Sequence, residues 1–257
     1  MYTPKGKFGW YELMTPDTAA SEAFYTKVIG WTTSQVGGGD MPYTTFNVDG
    51  YGVAGMLTGP PGAPSFWIGY ISVDDVDAHV VKIEEAGGKL WKGPTDVPGM
   101  LRFAVCSDPQ GAAFIVFTSD PAMQSPANPP QPPTPGTIGW NELYATDLES
   151  AWTFYSTLFG WTKLSDMDMG AMGTYRLFDE GDNKPMGAGG IMTKPPAIDR
   201  PYWGFYFNVD STSAAIERTT AAGGSLINGP SQVPGGGWIA TAVDPQGVVF
   251  SVVSQNK

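Results

Sequence analysis

The sequence predicts an α+β chain made of two tandem copies of one domain, each copy two βαβββ modules long. The first observation behind this is a recurring block. Gly9-Trp10-Tyr11-Glu12-Leu13 returns as Gly139-Trp140-Asn141-Glu142-Leu143, and at the same offset of 130 Phe24-Tyr25 meets Phe154-Tyr155 and Gly30-Trp31-Thr32 meets Gly160-Trp161-Thr162. Further on the offset becomes 136, matching Trp67 to Trp203, Gly87-Gly88 to Gly223-Gly224 and Asp108-Pro109-Gln110-Gly111 to Asp244-Pro245-Gln246-Gly247, so the second copy carries a six-residue insertion mid-domain. The second observation is the segment between the copies, PAMQSPANPPQPPTPGT, which sustains neither a helix nor a central strand. It sets a first domain at 1–120, a linker at 121–137 and a second domain at 138–257, and the linker is expected to run extended, reaching roughly 50 Å at about 3 Å per residue. The third observation is that strand-period and helix-period stretches follow one order twice in each half.

The elements read as follows. Residues 7–14 alternate and favour a strand, Thr15 to Asp17 form a capping turn, and Thr18 to Val28 have helical spacing that stops at Gly30. Short apolar runs at 31–36, 43–48 and 53–58, bounded by Gly and Pro, read as three antiparallel strands. Phe66 to Val73 begins the second module as a strand, Val76 to Ala86 is a helix closed by Gly87-Gly88, and Lys89 to Trp91, Phe103 to Cys106 and Ala112 to Thr118 are three further strands.

Composition narrows the function classes. With 42% hydrophobic and 15% charged residues the chain can bury a normal core. A net charge of −11, with 14 Lys plus Arg, repels polyanions, so neither nucleic acid nor anionic membrane is an expected partner. No apolar run approaches the roughly eighteen residues needed to span a bilayer. Cys106, the single cysteine, can form no internal disulfide, and the N-terminus has no signal-peptide core, so a soluble protein of the reducing cytoplasm is expected.

Phe24 to Trp31 and Phe154 to Trp161 resemble the helix end and turn of glyoxalase-type domains. Ser72-Val73-Asp74-Asp75, then Ala86-Gly87-Gly88, then Asp108-Pro109-Gln110-Gly111 before a last apolar strand, looks like the second module of the same domain. The chain thus resembles a tandem member of the vicinal oxygen chelate superfamily (glyoxalase/bleomycin-resistance/dioxygenase). The resemblance implies that each copy curves a mixed sheet around a cleft, where enzymes of the family hold a divalent metal that acts as a Lewis acid. Carried over residue by residue, the family's ligand positions fall on Trp10, Ile68, Ile115 and a position near Met56 in the first copy. In the second they fall on Trp140, Gly204, Ser251 and a position near Ile191. The only histidine, His79, lies in a predicted helix and is expected to be solvated, so no His-containing metal centre and no cofactor are expected.

What remains is aromatic and acidic. Alternate residues of a strand share a face, so Trp10 with Glu12, and Trp140 with Glu142, offer one indole beside one carboxylate in each copy. Glu12 and Glu142 read either as structural acceptors, as ligand contacts, or as catalytic acid–base groups. Tyr70 and Tyr206 join Trp10 and Trp140 as candidates to stack a planar ligand beside Ile68, and Gly204 widens the second cleft. Tyr43 and Thr45, with Tyr175, Arg176 and Met186, are expected to flank the clefts. Trp67 and Trp203 face the other way and are expected to pack on the helices. The two Asp-Pro-Gln-Gly segments read as type I turns, and Gly37 to Asp40 and Gly187 to Gly190 as hairpin loops or close backbone contacts. Cys106 reads as a buried, inert thiol.

The expected function is metal-independent binding of a small organic or aromatic molecule, a metabolite or antibiotic, in aromatic-lined clefts. The alternative is a glyoxalase-like lyase or isomerase with Glu12 or Glu142 as general base, served by a divalent metal only if unanticipated carboxylates bind one. A third reading leaves the first copy structural and gives the ligand to the second. The chain is expected either as a monomer that mimics a dimer or as a homodimer.

Overall fold

A computed structural model describes residues 4–36, 42–59, 62–122 and 128–257. In the first copy the order is β1 (Phe8–Thr15), α1 (Thr18–Ile29), β2 (Thr32–Val36), β3 (Tyr43–Val48), β4 (Tyr51–Thr58), β5 (Phe66–Ser72), α2 (Val76–Glu85), β6 (Lys89–Val97), β7 (Leu101–Ser107) and β8 (Ala113–Ser119). The second copy repeats it as β9 (Ile138–Ala145), α3 (Leu148–Phe159), β10 (Thr162–Asp168), β11 (Thr174–Asp179), β12 (Gly189–Thr193), β13 (Tyr202–Asn208), α4 (Thr212–Ala221), β14 (Ser225–Gln232), β15 (Trp238–Val243) and β16 (Val249–Ser254). The strands form two eight-stranded mixed sheets, ordered β2-β3-β4-β1-β5-β8-β7-β6 and β10-β11-β12-β9-β13-β16-β15-β14. Each copy is therefore the predicted pair of βαβββ modules. Among the described residues no helix is long and apolar enough to cross a membrane.

Local chemistry sets the helix ends where the sequence put them. Asp17, Asp75 and Asp147 each accept a hydrogen bond from the backbone N–H three residues on, as does Ser211 before α4. Gly30 and Gly160 close α1 and α3 in the left-handed region, at φ 91° and 73°, where a side chain would be strained. The second copy has a longer β10, a 3-10 turn at Gly170–Met172, and a long connection at 180–188 between β11 and β12 where the first copy has only 49–50 between β3 and β4.

By contact the chain divides into two compact units that do not follow the order of the copies. One comprises Met1–Gly9, Ile68–Ala127 and Asn141–Trp203; the other comprises Trp10–Trp67, Asn128–Trp140 and Gly204–Lys257. Each unit joins the first module of one copy to the second module of the other. The repeated motifs are the joints. In the first unit Tyr155, on α3, donates to the Asp108 carboxylate (3.2 Å) and accepts from the Trp203 indole (3.0 Å), all three side chains being buried. In the second unit Tyr25, on α1, does the same between Asp244 (3.2 Å) and Trp67 (3.0 Å). Trp67 and Trp203 thus pack on the helices as expected.

Each aspartate also holds its own turn. Asp108 accepts the backbone N–H groups of Gln110, Gly111 and Ala112, and Asp244 those of Gln246 and Val248. Burial raises both carboxyls above the ordinary range, against the lowering effect of these donors. Next to them, Gln110 accepts from the Asp147 N–H (2.8 Å) and donates to the Asp147 carbonyl (2.8 Å), latching the start of α3. Gln246 donates to the Asp17 carbonyl (2.9 Å) and to Ser21 (2.6 Å) at the start of α1, and accepts from Thr15. The Asp-Pro-Gln-Gly segments are turns, with Gly111 N–H bonded to the Asp108 carbonyl at 3.1 Å, and they also fasten one copy to the other.

Three expectations need correcting. From residue 128 on, the linker does not simply run extended: Thr134 N–H bonds to the Gln131 carbonyl and Thr137 N–H to the Thr134 carbonyl, turning the chain twice. The Gly136 carbonyl then accepts from the Trp31 indole at 2.7 Å, as the Gly6 carbonyl accepts from Trp161 at 2.6 Å. The segments before β1 and β9 are therefore part of the repeat. Second, the strand predicted at Lys89 to Trp91 runs on to Val97 as β6. Third, His79 is buried, its ring stacked on Phe159 with centroids 5.2 Å apart and Nε2 without a hydrogen-bond partner. Helix α2 turns that face onto α3, and an imidazole is apolar enough in its neutral form to fill the contact. Gly37 to Asp40 lies outside the described residues.

Removing the phenolic hydroxyl in Tyr155→Phe should leave the Asp108 carboxylate and the Trp203 N–H without their shared partner, lowering stability by about 1–3 kcal/mol in urea unfolding. Burial of neutral His79 depresses its pKa from 6.5 to about 4, so its contribution is complete above pH 6.5 and is lost as pH falls toward 4. Buried Glu180, raised to about 7, acts in the opposite sense over part of that range. The difference in unfolding free energy between the wild type and His79→Leu should therefore change by up to about 1.4 kcal/mol per pH unit between those limits, and a difference independent of pH would refute the assignment.

Candidate functional site

The first predicted carboxylate is found in a chain of hydrogen bonds. Trp10 Nε1 donates to the Tyr43 hydroxyl at 2.8 Å, and that hydroxyl donates to Glu12 Oε2 at 3.0 Å. Trp10 and Glu12 lie two apart on β1 and so share a face, while Tyr43 comes from β3, two strands away with β4 between. The ring can span β4 because Gly55 stands opposite Glu12 in the β1–β4 register. A Cβ built on Gly55 would overlap the Tyr43 ring and hydroxyl. Burial, and then the charge of Glu12, hold the Tyr43 phenol well above its ordinary pKa, so it stays a donor.

The second copy builds the same device. Tyr175, on β11, donates to Glu142 Oε1 at 2.7 Å across Gly190 of β12, which stands opposite Glu142 in register. A Cβ on Gly190 would overlap the Tyr175 ring. Glu142 is buried, and it has a further neighbour in Tyr202, whose pKa is pushed up to about 12 by burial and then by the Glu142 charge. Tyr202 in turn stacks on Tyr144, with centroids 5.1 Å apart and planes at 23°.

The other predicted residues are placed as follows. Ile68 is fully buried, and buried Tyr70 meets the Phe117 ring edge-on at 5.9 Å. Trp140 and Gly204 are half-buried, and Tyr206 is buried opposite Ser251 in the β13–β16 register. Arg176 does not flank a cleft. It is buried against α3 and β10, its guanidinium bonded to Glu149 (2.8 and 2.9 Å) and Asp166 (2.8 and 2.9 Å), because it points the opposite way from Tyr175. Met186 is exposed. Cys106 is buried, as expected, with its thiol pushed up to about 12 by desolvation. The parts that sequence reasoning missed are Gly55, Gly190, Tyr144 and Tyr202. The glycines carried a signal, each lying on the strand that follows a tyrosine's strand and opposite a glutamate.

This fold of paired βαβββ modules defines a class, and the chain belongs to the Glyoxalase/Bleomycin resistance protein/Dioxygenase superfamily, whose profile matches residues 7–116 and 137–252. Among curated relatives, it is 34% identical to CFP32 of Mycobacterium tuberculosis (strain CDC 1551 / Oshkosh), whose name places it provisionally among glyoxylases, over 97% of this chain and 95% of that one. It is 35% identical to the anthracycline biosynthesis protein DnrV of Streptomyces peucetius, over 96% of this chain and 93% of that protein. Among solved structures, the Mn(II)-bound glyoxalase from Novosphingobium aromaticivorans has the same fold at a TM-score of 0.67, with 18% identity over 98% of this chain and 83% of that one.

A divalent ion of the kind such enzymes hold does not fit the residues here. The family's ligand positions carry indole, aliphatic, thioether and hydroxyl side chains or glycine, and Met56, Ile68, Ile115 and Ile191 are buried apolar groups. Among the described residues no three His, Cys, Asp or Glu side chains are grouped so as to hold a metal ion.

Gly55→Ala should destabilise the protein by about 1–3 kcal/mol by forcing a ring off its backbone seat. In a Tyr43→Ala background the same change should be nearly silent, a coupling that a double-mutant cycle of melts measures directly.

Proposed function

We propose that the protein binds a planar aromatic small molecule of natural-product type, using the tyrosine–glutamate pairs as its polar anchors and without a histidine-based metal centre. The observation that carries this is the duplicated device itself. In both copies a buried carboxylate is held by a tyrosine laid across a glycine, a costly arrangement for a site with no polar ligand to orient. A buried carboxylate accepts hydrogen bonds from phenolic or hydroxyl groups of a ligand, and the neighbouring indole and phenol rings supply apolar area for its plane. The similarity to DnrV, named for anthracycline biosynthesis, supports a polycyclic aromatic ligand class.

A second reading, a lyase or isomerase, is favoured by the same carboxylates. With Tyr43 or Tyr175 donating to it, Glu12 or Glu142 is oriented as a base that takes a proton from a carbon next to a carbonyl. Glu142→Gln separates the readings, since a base predicts lost turnover with binding retained.

Titration of tryptophan fluorescence with a hydroxylated anthraquinone should show saturable quenching. Tyr43→Phe and Tyr175→Phe should each weaken it at least about 10-fold, as expected for one lost hydrogen bond to a charged group. Absence of saturable binding by such ligands would sink the aromatic reading.

A further inference from the structure

The two copies share the tyrosine–glycine–glutamate device but differ around it, and the difference is chemical. Next to Glu142 on the same face of β9 stands Tyr144, stacked on Tyr202, and the Glu142 charge acts on Tyr202. At the offsets of 130 and 136, the corresponding positions of the first copy hold Met14 and Phe66. The buried Glu142 thus accepts from Tyr175, acts by its charge on Tyr202 and shares its strand face with Tyr144, all three rings being partly exposed.

We propose that the second copy binds an organic cation, a substituted ammonium group, with Glu142 as counter-charge and Tyr144 and Tyr202 as the aromatic wall. This names the ligand class of one of the sites assigned above and rests on that reading. The physics is additive. Ring faces attract a cation through their quadrupoles, most strongly where the cation is partly desolvated, and Tyr is among the stronger aromatic partners. A net charge of −11 draws cations toward the surface from a distance and repels anionic competitors. Met14 and Phe66 offer the first copy apolar area with one ring fewer and no phenol, so the cation preference belongs to the second copy.

The test uses the intact chain and two probes of nearly one shape, trimethylphenylammonium and neutral tert-butylbenzene, titrated by calorimetry at low and high salt. The ammonium compound should bind at least about 10-fold more tightly than its neutral twin and weaken as salt rises. Glu142→Gln should weaken it about 10-fold. Tyr144→Leu with Tyr202→Leu, both half-exposed and so tolerated by the fold, should weaken it at least 5-fold while the melting curve confirms folding. Equal affinity for the two probes, or cation binding indifferent to both sets of changes, overturns the cation site. Hydroxyanthraquinone binding with no ammonium binding overturns this inference alone, whereas failure of both probes and of the anthraquinone overturns the aromatic reading with it.

Discussion

Two buried hydrogen bonds, Tyr25 to Asp244 and Tyr155 to Asp108, are what the rest of the architecture depends on. Each aspartate gathers backbone N–H groups of its own turn, so the carboxylate fixes the turn, and the turn fixes the glutamine that latches the opposite helix start. Each tyrosine also accepts an indole N–H from the strand beneath it. Helix, strand and turn are therefore tied at one oxygen, and both compact units are closed by the same three side chains. A carboxylate placed in such surroundings is destabilising unless its acceptors are filled, which here they are.

Trp67 and Trp203 turn toward the helices, so the residues one step along face away from them, and Glu12 and Glu142 occupy positions where a tyrosine two strands distant can reach. The reach depends on glycine. Gly55 and Gly190 lower the floor between the tyrosine and the glutamate, and the phenol lies where any side chain would otherwise stand. Membership of a superfamily known for metal centres does not require one in every member. In this chain four of the positions onto which the family's ligand pattern falls, Met56, Ile68, Ile115 and Ile191, are buried apolar core.

The fold was almost wholly legible, because duplication printed each element twice and helix ends carried their Asp and Gly signals. The carboxylates and their aromatic neighbours Trp10, Tyr43 and Tyr175 were legible too, through strand alternation. What was not legible came from long-range pairing. The Phe-Tyr and Asp-Pro-Gln-Gly motifs were both visible, but nothing local reveals that the tyrosine of one copy bonds to the aspartate of the other. His79 looked like a solvated helix residue because its cover, Phe159, comes from a helix 80 residues away. Arg176 was misplaced for a related reason: its partners Glu149 and Asp166 lie on the helix side of the sheet. Tyr144 and Tyr202 carried no such signal, because they meet only in the fold and replace Met14 and Phe66 rather than repeat them.

Crosswise fastening has a consequence for how such a gene can change. Loss of the hydroxyl at position 25 would strip the carboxylate at 244 of its phenolic donor, and loss at 155 would do the same at 108, so each joint needs a residue from both halves. Positions 144 and 202 meet each other instead, where the first copy holds Met14 and Phe66. A duplicated chain of this design is tied together at its seams, while its halves differ in side chains away from them.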